Sequence, residues 1–253
     1  MSMTSVVNLE NRSGANLNKL LCEKIIVAAG IVCLSSSAAL AEEHKMSAEC
    51  YLIEAAAEKK ENVNKAKSDA KDIPATCLKV GDYAANFDLP NAKGKSVKLA
   101  ALLSKGPVVL AFYRGSWCPF CNRELHSLQE ILPQIKAHGA TLVAISPQLP
   151  EFSTATVSQN GLSFEVLSDV GNRIGKAYGL VYSVPKMERP FYPLFGADLP
   201  KHNGDRSFEI PLPATYIIDK NKKIKYAFID ADYKKRMSPE DIIKQLSSIG
   251  EEE

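Results

Sequence analysis

At 253 residues, 45% of them hydrophobic and 24% charged, the chain is long and apolar enough to bury a core and to carry extensions around one globular domain, which excludes a wholly disordered protein. The formal net charge is only +2, with lysines and arginines interleaved with acids, and nothing in that balance calls for nucleic acid.

The N-terminus has the layout of an export signal. Arg12, Lys19 and Lys24 precede the apolar run IIVAAGIVCL, Ile25 to Leu34, and SSSAALA then ends in Ala39-Leu40-Ala41. A basic start, a short apolar core and small residues before the cut predict cleavage after Ala41, so residues 1–41 read as a signal peptide and the mature chain as periplasmic or otherwise extracytoplasmic. The apolar core is well short of the ~18 residues that a membrane span needs, so no stable span is expected after cleavage. Cleavage removes Cys22 and Cys33 and leaves Cys50, Cys77, Cys118 and Cys121. In an oxidising compartment these four are able to pair, Cys118 with Cys121 locally and Cys50 with Cys77 as a candidate structural disulfide; buried, unpaired thiols are the alternative for the second pair.

Residues 42–76 are rich in Ala, Lys and Glu and have no Gly or Pro before Pro74. Met46, Cys50, Ile53 and Ala57 recur at helical spacing, which predicts a helical N-terminal extension. The compact domain is expected over residues 77–250. Its opening, KVGDYAANFDLPNAKGKSVKLAALL, reads as short half-buried strands with Asn91 to Lys95 at a hairpin tip. GPVVLAFY, Gly106 to Tyr113, is a continuous apolar run of the kind found in central strands. Asn122 to His138 reads as an amphipathic helix interrupted at Pro133, and ATLVAIS, Ala140 to Ser146, as a second buried strand. Strand, helix, strand is a parallel unit, and its first strand delivers the motif WCPFC, Trp117 to Cys121, to the N-terminus of the helix. Further on come a helix around Pro150 to Gly161, the strand SFEVLSD and a short helix in VGNRIGKAYGLV. Tyr182 to Pro211, rich in proline and aromatic residues, reads as a long irregular loop, with Phe191, Tyr192 and Phe195 as candidates to cover a site. The strand PATYIID, a turn at KNKK and the strand IKYAFIDADY make a hairpin, and SPEDIIKQLSSI predicts a final capped helix.

A thiolate, not a thiol, is the nucleophile of cysteine chemistry. Cys118 and Cys121 both stand where the unpaired N–H groups and the macrodipole of a helix N-terminus favour the thiolate, and Pro119 suits the first turn because it has no N–H to lose. A zinc site needs about four ligands, and the mature chain has neither a second close cysteine pair nor a Cys–His cluster; His126 reads as a helix-surface residue. No metal and no cofactor are expected. Pro213 immediately precedes an apolar strand, where a cis bond is one option and an ordinary trans proline the other.

The segments KVGDYAANFDLPN, GPVVLAFYRGSWCPFCNREL, TLVAISPQ and LPATYIIDKNKKIKYAFIDADY, in that order, resemble the peroxiredoxin-like branch of the alkyl hydroperoxide reductase C and thiol-specific antioxidant (AhpC/TSA) family, over roughly Cys77 to Leu246. The resemblance implies an α/β, thioredoxin-like fold, a central mixed β-sheet flanked by helices, and a redox-active thiol centre. On the family's Thr-x-x-Cys motif, Cys118 takes the threonine position and Cys121 that of the peroxide-attacking cysteine. The chain departs from the pattern twice: Arg114 stands where the family has a proline, and Pro213 where it has an arginine. In thioredoxins the threonine position is the first cysteine of Trp-Cys-x-x-Cys and the arginine position is the cis-proline beside it, as Trp117, Cys118 and Pro213 are here.

Two mechanisms follow from the resemblance. As a peroxidase acting on hydrogen peroxide or organic hydroperoxides, Cys121 becomes a sulfenic acid and Cys118 resolves it. A thioredoxin-like or other thiol donor reduces the resulting disulfide, and Arg114 or Arg123 supplies the positive charge of the missing arginine. As a protein disulfide oxidoreductase, a more exposed Cys118 forms the mixed disulfide, Cys121 resolves it, and Pro213 lines the substrate groove. Trp117 shields the pair in either case.

Overall fold

The computed structural model describes residues 74 and 76–250; the expected export signal, the expected helical extension through residue 73 and Cys50 lie outside the described residues. Among the described residues no helix is long and apolar enough to cross a membrane.

Strands β1 (Asp88–Pro90) and β2 (Ser96–Lys98) form the first hairpin. Its turn closes on Asn91, whose side-chain oxygen accepts from the N–H groups of Lys93 and Lys95, the local bonding that makes asparagine a turn residue. After α1 (Leu99–Leu103), β3 (Val108–Phe112) is buried along its whole length. It leads to α2 (Pro119–Glu130), and the chain breaks at Ile131 before α3 (Leu132–Ala137). Pro133 falls in the first turn of α3, where the N–H that it lacks would have no helical acceptor. The chain continues through β4 (Thr141–Ser146), α4 (Pro150–Asn160), β5 (Glu165–Ser168) and α5 (Arg173–Ala177).

Residues 182–211 are more regular than their proline content predicts. Strand β6 (Val181–Ser183) pairs antiparallel with β7 (Glu209–Pro211), and between them lie a 3-10 helix (Arg189–Phe195) and α6 (Leu199–Asn203). Three of the prolines sit where they break little, Pro190 and Pro200 in first turns and Pro211 at the end of a two-stranded ribbon, while Pro193 lies inside the 3-10 helix. The chain closes with β8 (Ala214–Ile218), β9 (Ile224–Ile229) and α7 (Pro239–Gly250); the Ser238 hydroxyl caps the last helix by accepting from the Asp241 N–H.

The main sheet has the order β5-β4-β3-β8-β9, with β3, β4 and β5 mutually parallel, β8 antiparallel to β3 and β9 antiparallel to β8. Strand β3 alternates between two cores, as a pleated strand must. Val108, Leu110 and Phe112 pack with Leu99, Leu102, Ile174 and Tyr178. Val109 and Ala111 face Leu128, Ile135 and, from α7, Ile242 and Leu246. Both faces are therefore covered, and the C-terminal end of β3 is the one place where the central strand hands the chain directly to a helix N-terminus.

Candidate active site

From Phe112 the chain runs through residues 113–117 to Cys118, the N-cap of α2. The loop between them is tightly specified. Gly115 has φ +151, and a Cβ there would run into the Trp117 indole and crowd Gln148, so only glycine allows the approach. Ser116 is held from three sides: its N–H donates to Gln148 Oε1 (2.9 Å), its hydroxyl accepts from Gln148 Nε2 (2.9 Å), and its carbonyl accepts from Asn122 Nδ2 (2.7 Å).

This loop aims Arg114 inward. The side chain is buried, its Nη2 donates to Cys118 Sγ at 3.2 Å, and its guanidinium lies 3.9 Å from the Tyr233 ring centroid and 5.1 Å from that of Trp117. Cys118 has extended backbone, φ −91° and ψ 111°, and its sulfur also accepts from the Cys121 N–H at 3.4 Å, the usual task of an N-cap side chain performed by a thiolate. The thiol donated by Cys121 and then the charge of Arg114 hold the Cys118 pKa well below the ordinary thiol value, against the opposing cost of burial. Cys121 moves the other way: burial raises its pKa, and so does the proton it shares with Cys118. The two opposite shifts favour the thiolate on Cys118 and the protonated thiol on Cys121.

A second cation stands behind Cys121. Arg236 Nη2 donates to Cys121 Sγ at 3.5 Å, while Nε pairs with Glu124 Oε2 at 2.5 Å and Nη1 donates to the Tyr233 and Lys235 carbonyls. Burial pushes the Glu124 carboxyl up to about 7, with Arg236 pulling against that rise.

Of the residues expected from sequence, the structure brings Arg114, Trp117, Cys118, Pro119 and Cys121 together. Arg123 is not among them: it is exposed, with its guanidinium 5.8 Å from the Phe120 ring centroid, because two residues along a helix rotate a side chain about 200° away from Cys121. Cys118 is not the more exposed thiol, since both residues are 0% accessible; Trp117 packs on the cysteine cluster and meets the Tyr192 ring edge at 5.8 Å. Pro213 is buried at the end of β8 that faces the site loop, but no cis peptide bond occurs among the described residues, so its bond has the trans form favoured when nothing selects cis. Cys77 is a free, buried thiol that donates to the Gly179 carbonyl at 3.2 Å, in a different core cluster from the pair. Its expected partner, Cys50, lies outside the described residues. Sequence reasoning missed Glu124, Gln148, Tyr233 and Arg236. Glu124 had a signal, three residues from Cys121 on one helix; Arg236, 115 residues from Cys121, had none.

Residues 80–227 match the model of the AhpC/TSA family. The thiol-disulfide oxidoreductase ResA of Halalkalibacterium halodurans is 34% identical over 103 residues, which cover 40% of this chain and 57% of that protein. ResA of Geobacillus kaustophilus is 28% identical over 175 residues, 69% of this chain and 80% of the relative. Among solved structures, peroxidoxin BcpB from Mycobacterium tuberculosis superposes with a TM-score of 0.55 at 21% identity, over 68% of this chain and 98% of that one. A peroxiredoxin-like protein from Aquifex aeolicus gives 0.54 at 17%, over 68% and 88%. These likenesses share the thioredoxin-like architecture described above. With the family model spanning more than half of its residues, the chain belongs to the AhpC/TSA family.

Proposed function

We propose that the protein is a thiol-dependent oxidoreductase that works by dithiol–disulfide exchange, with Cys118 attacking and Cys121 resolving. The observation that carries this reading is the contact of Arg114 with Cys118 Sγ, which, with the proton donated by Cys121, makes Cys118 the thiolate of the pair. That thiolate attacks one sulfur of a substrate disulfide, forming a mixed disulfide and expelling a thiolate that takes up a proton. Cys121, once deprotonated, attacks Cys118 Sγ, breaks the mixed disulfide and releases the second thiol. The protein is left with a Cys118–Cys121 disulfide, two electrons having passed to the substrate, and an external thiol donor restores the dithiol. The name of the ResA relatives, thiol-disulfide oxidoreductase, supports this chemistry. Because both sulfurs are buried, a substrate reaches Cys118 only when side chains around the pair move.

A second reading, peroxide reduction through Cys121, is favoured by the Arg236 guanidinium on that sulfur and by the peroxiredoxin-type fold. There the Cys121 thiolate attacks a peroxide oxygen, the O–O bond breaks to leave a sulfenic acid and water or an alcohol, and Cys118 condenses with the sulfenic acid to a disulfide, releasing water.

Wild-type, Cys118→Ser and Cys121→Ser proteins, fully reduced, separate the two readings by intact mass. Disulfide exchange predicts a trapped mixed disulfide on Cys118 in Cys121→Ser and no reaction with disulfides in Cys118→Ser. Rapid trapping of a sulfenic acid on Cys121 in Cys118→Ser, with one equivalent of hydrogen peroxide, establishes the peroxidase instead. The proposed export, supported by the basic, apolar and small-residue order of residues 1–41, predicts a mature N-terminus at Glu42 on sequencing of the secreted protein.

A further inference from the structure

We propose that the cleft between α2 and the start of α7 binds the carboxylate of a small thiol or disulfide that exchanges with Cys118; this rests on the disulfide-exchange reading and adds its substrate class. The cleft is about 230 Å³, below the roughly 300–1,000 Å³ of pockets for drug-sized ligands, so it takes a compact molecule. Its apolar wall comes from Phe120, Leu128, Met237 and Ile242.

The charge of the cleft decides the class. Arg123, Lys234 and Arg236 line it against one carboxylate, Glu124; three positive charges less one negative leave +2, as much as the formal net charge of the whole chain. Arg236 is committed to Glu124. Arg123 and Lys234 are exposed, and neither is in an ion pair with a carboxylate among the described residues. Two unpaired cations beside an apolar wall match a molecule that joins a carboxylate to a short hydrocarbon.

The cleft is also joined to the chemistry. Phe120 meets the Tyr233 ring at 5.7 Å, Tyr233 carries the Arg114 guanidinium on its face, and Arg114 contacts Cys118 Sγ. From the other side, Arg236 runs from the cleft to Cys121 Sγ. A disulfide whose carboxylate is held by Arg123 and Lys234 is thereby placed beside the Phe120 ring, which packs on the Tyr233 and Arg114 side chains that cover Cys118, and it meets the sulfur when those side chains move aside.

The test uses the full chain, reduced, and two disulfides that differ only in charge: 3,3′-dithiodipropionate and its diamide. Repulsion by the Cys118 thiolate alone makes the dianion the slower of the two. The cleft reverses that order, so the wild type is expected to react roughly tenfold faster with the dianion at low salt, with the preference shrinking at about 0.5 M salt. Arg123→Glu/Lys234→Glu, two surface changes, returns the advantage to the diamide. If the diamide reacts as fast as the dianion or faster in the wild type and the double variant keeps the same ratio, the cleft proposal is overturned while disulfide exchange stands. If neither disulfide oxidises the pair, the exchange reading fails and takes the cleft's substrate class with it.

Discussion

Cys118 and Cys121 lie within one turn of the same helix and are equally closed to solvent, yet their surroundings drive them apart. Cys118 is at the N-cap, and three donors converge on its sulfur: the Cys121 N–H, the Cys121 thiol and Arg114. Cys121 is one turn inside, packed with Tyr113, Leu125, Ala144 and Val166, and the Arg236 guanidinium that donates to it is shared with Glu124. Burial raises a thiol's pKa wherever it occurs; what differs is how many positive or proton-donating groups offset it. Exposure therefore does not separate the two thiols, and their polar partners do.

The largest expected break in this contrast comes from the Cys121 side. Arg236→Met leaves Glu124 buried without its cation, and removing one partner of such a pair costs about 3–5 kcal/mol when the other stays charged. Urea unfolding at pH 8 is expected to show a loss of that order, shrinking at pH 5, where the carboxyl takes a proton; Arg236→Met/Glu124→Gln should recover most of it. A single variant as stable as wild type at both pH values counts against the pair as a structural element. Next in size is Arg114→Met, which removes the cation at 3.2 Å from Cys118. A neighbouring opposite charge shifts a pKa by about 1–3 units, so alkylation of Cys118 near pH 6 is expected to slow by roughly 10- to 100-fold, with the titration midpoint moving up toward that of an ordinary thiol. An unmoved midpoint would mean that Cys121 alone sets the thiolate.

The sequence legibility of these features follows the range of the interactions behind them. Strands β3, β4 and β8 were readable because each is a continuous apolar run whose neighbours in the sheet supply the hydrogen bonds. The ribbon of β6 and β7 was not, because Ser183 pairs with Glu209 across a stretch whose prolines advertise irregularity, and only the closed structure shows that Pro190 and Pro200 fall in first turns. Within the site, the spacing of WCPFC placed both sulfurs at a helix start. Arg114 stood out as a departure from the family pattern, but its inward aim is set by the Gly115 approach and the Gln148 clamp on Ser116, neither of which local pattern encodes. Cys118 looked open because N-caps generally are; Trp117 and Tyr192 close it through a contact between segments distant in the chain.

Glu124 offers the smallest but most selective probe of the same contrast. Its carboxyl holds a proton more tightly in the folded protein, up to about 7, than at its ordinary value of 4.5. Between those two values the folded state carries more protons than the unfolded state, so this group makes stability fall as pH rises through the window. Above about 7 the cost of keeping a buried carboxylate is fully present, and below about 4.5 it is absent. Glu124→Gln keeps the shape, removes the titration and is expected to flatten that part of the stability profile, gaining on the order of 2 kcal/mol at pH 8 relative to pH 5 when each is compared with wild type. The same change removes a negative charge that raises the Cys121 pKa, so the Cys121 thiol should titrate lower in Glu124→Gln while its partner Arg236 turns wholly to the sulfur. A flat difference between variant and wild type across pH 5 to 8, with no movement of Cys121, would show that Arg236 already neutralises the carboxylate completely, and that burial rather than charge keeps Cys121 protonated.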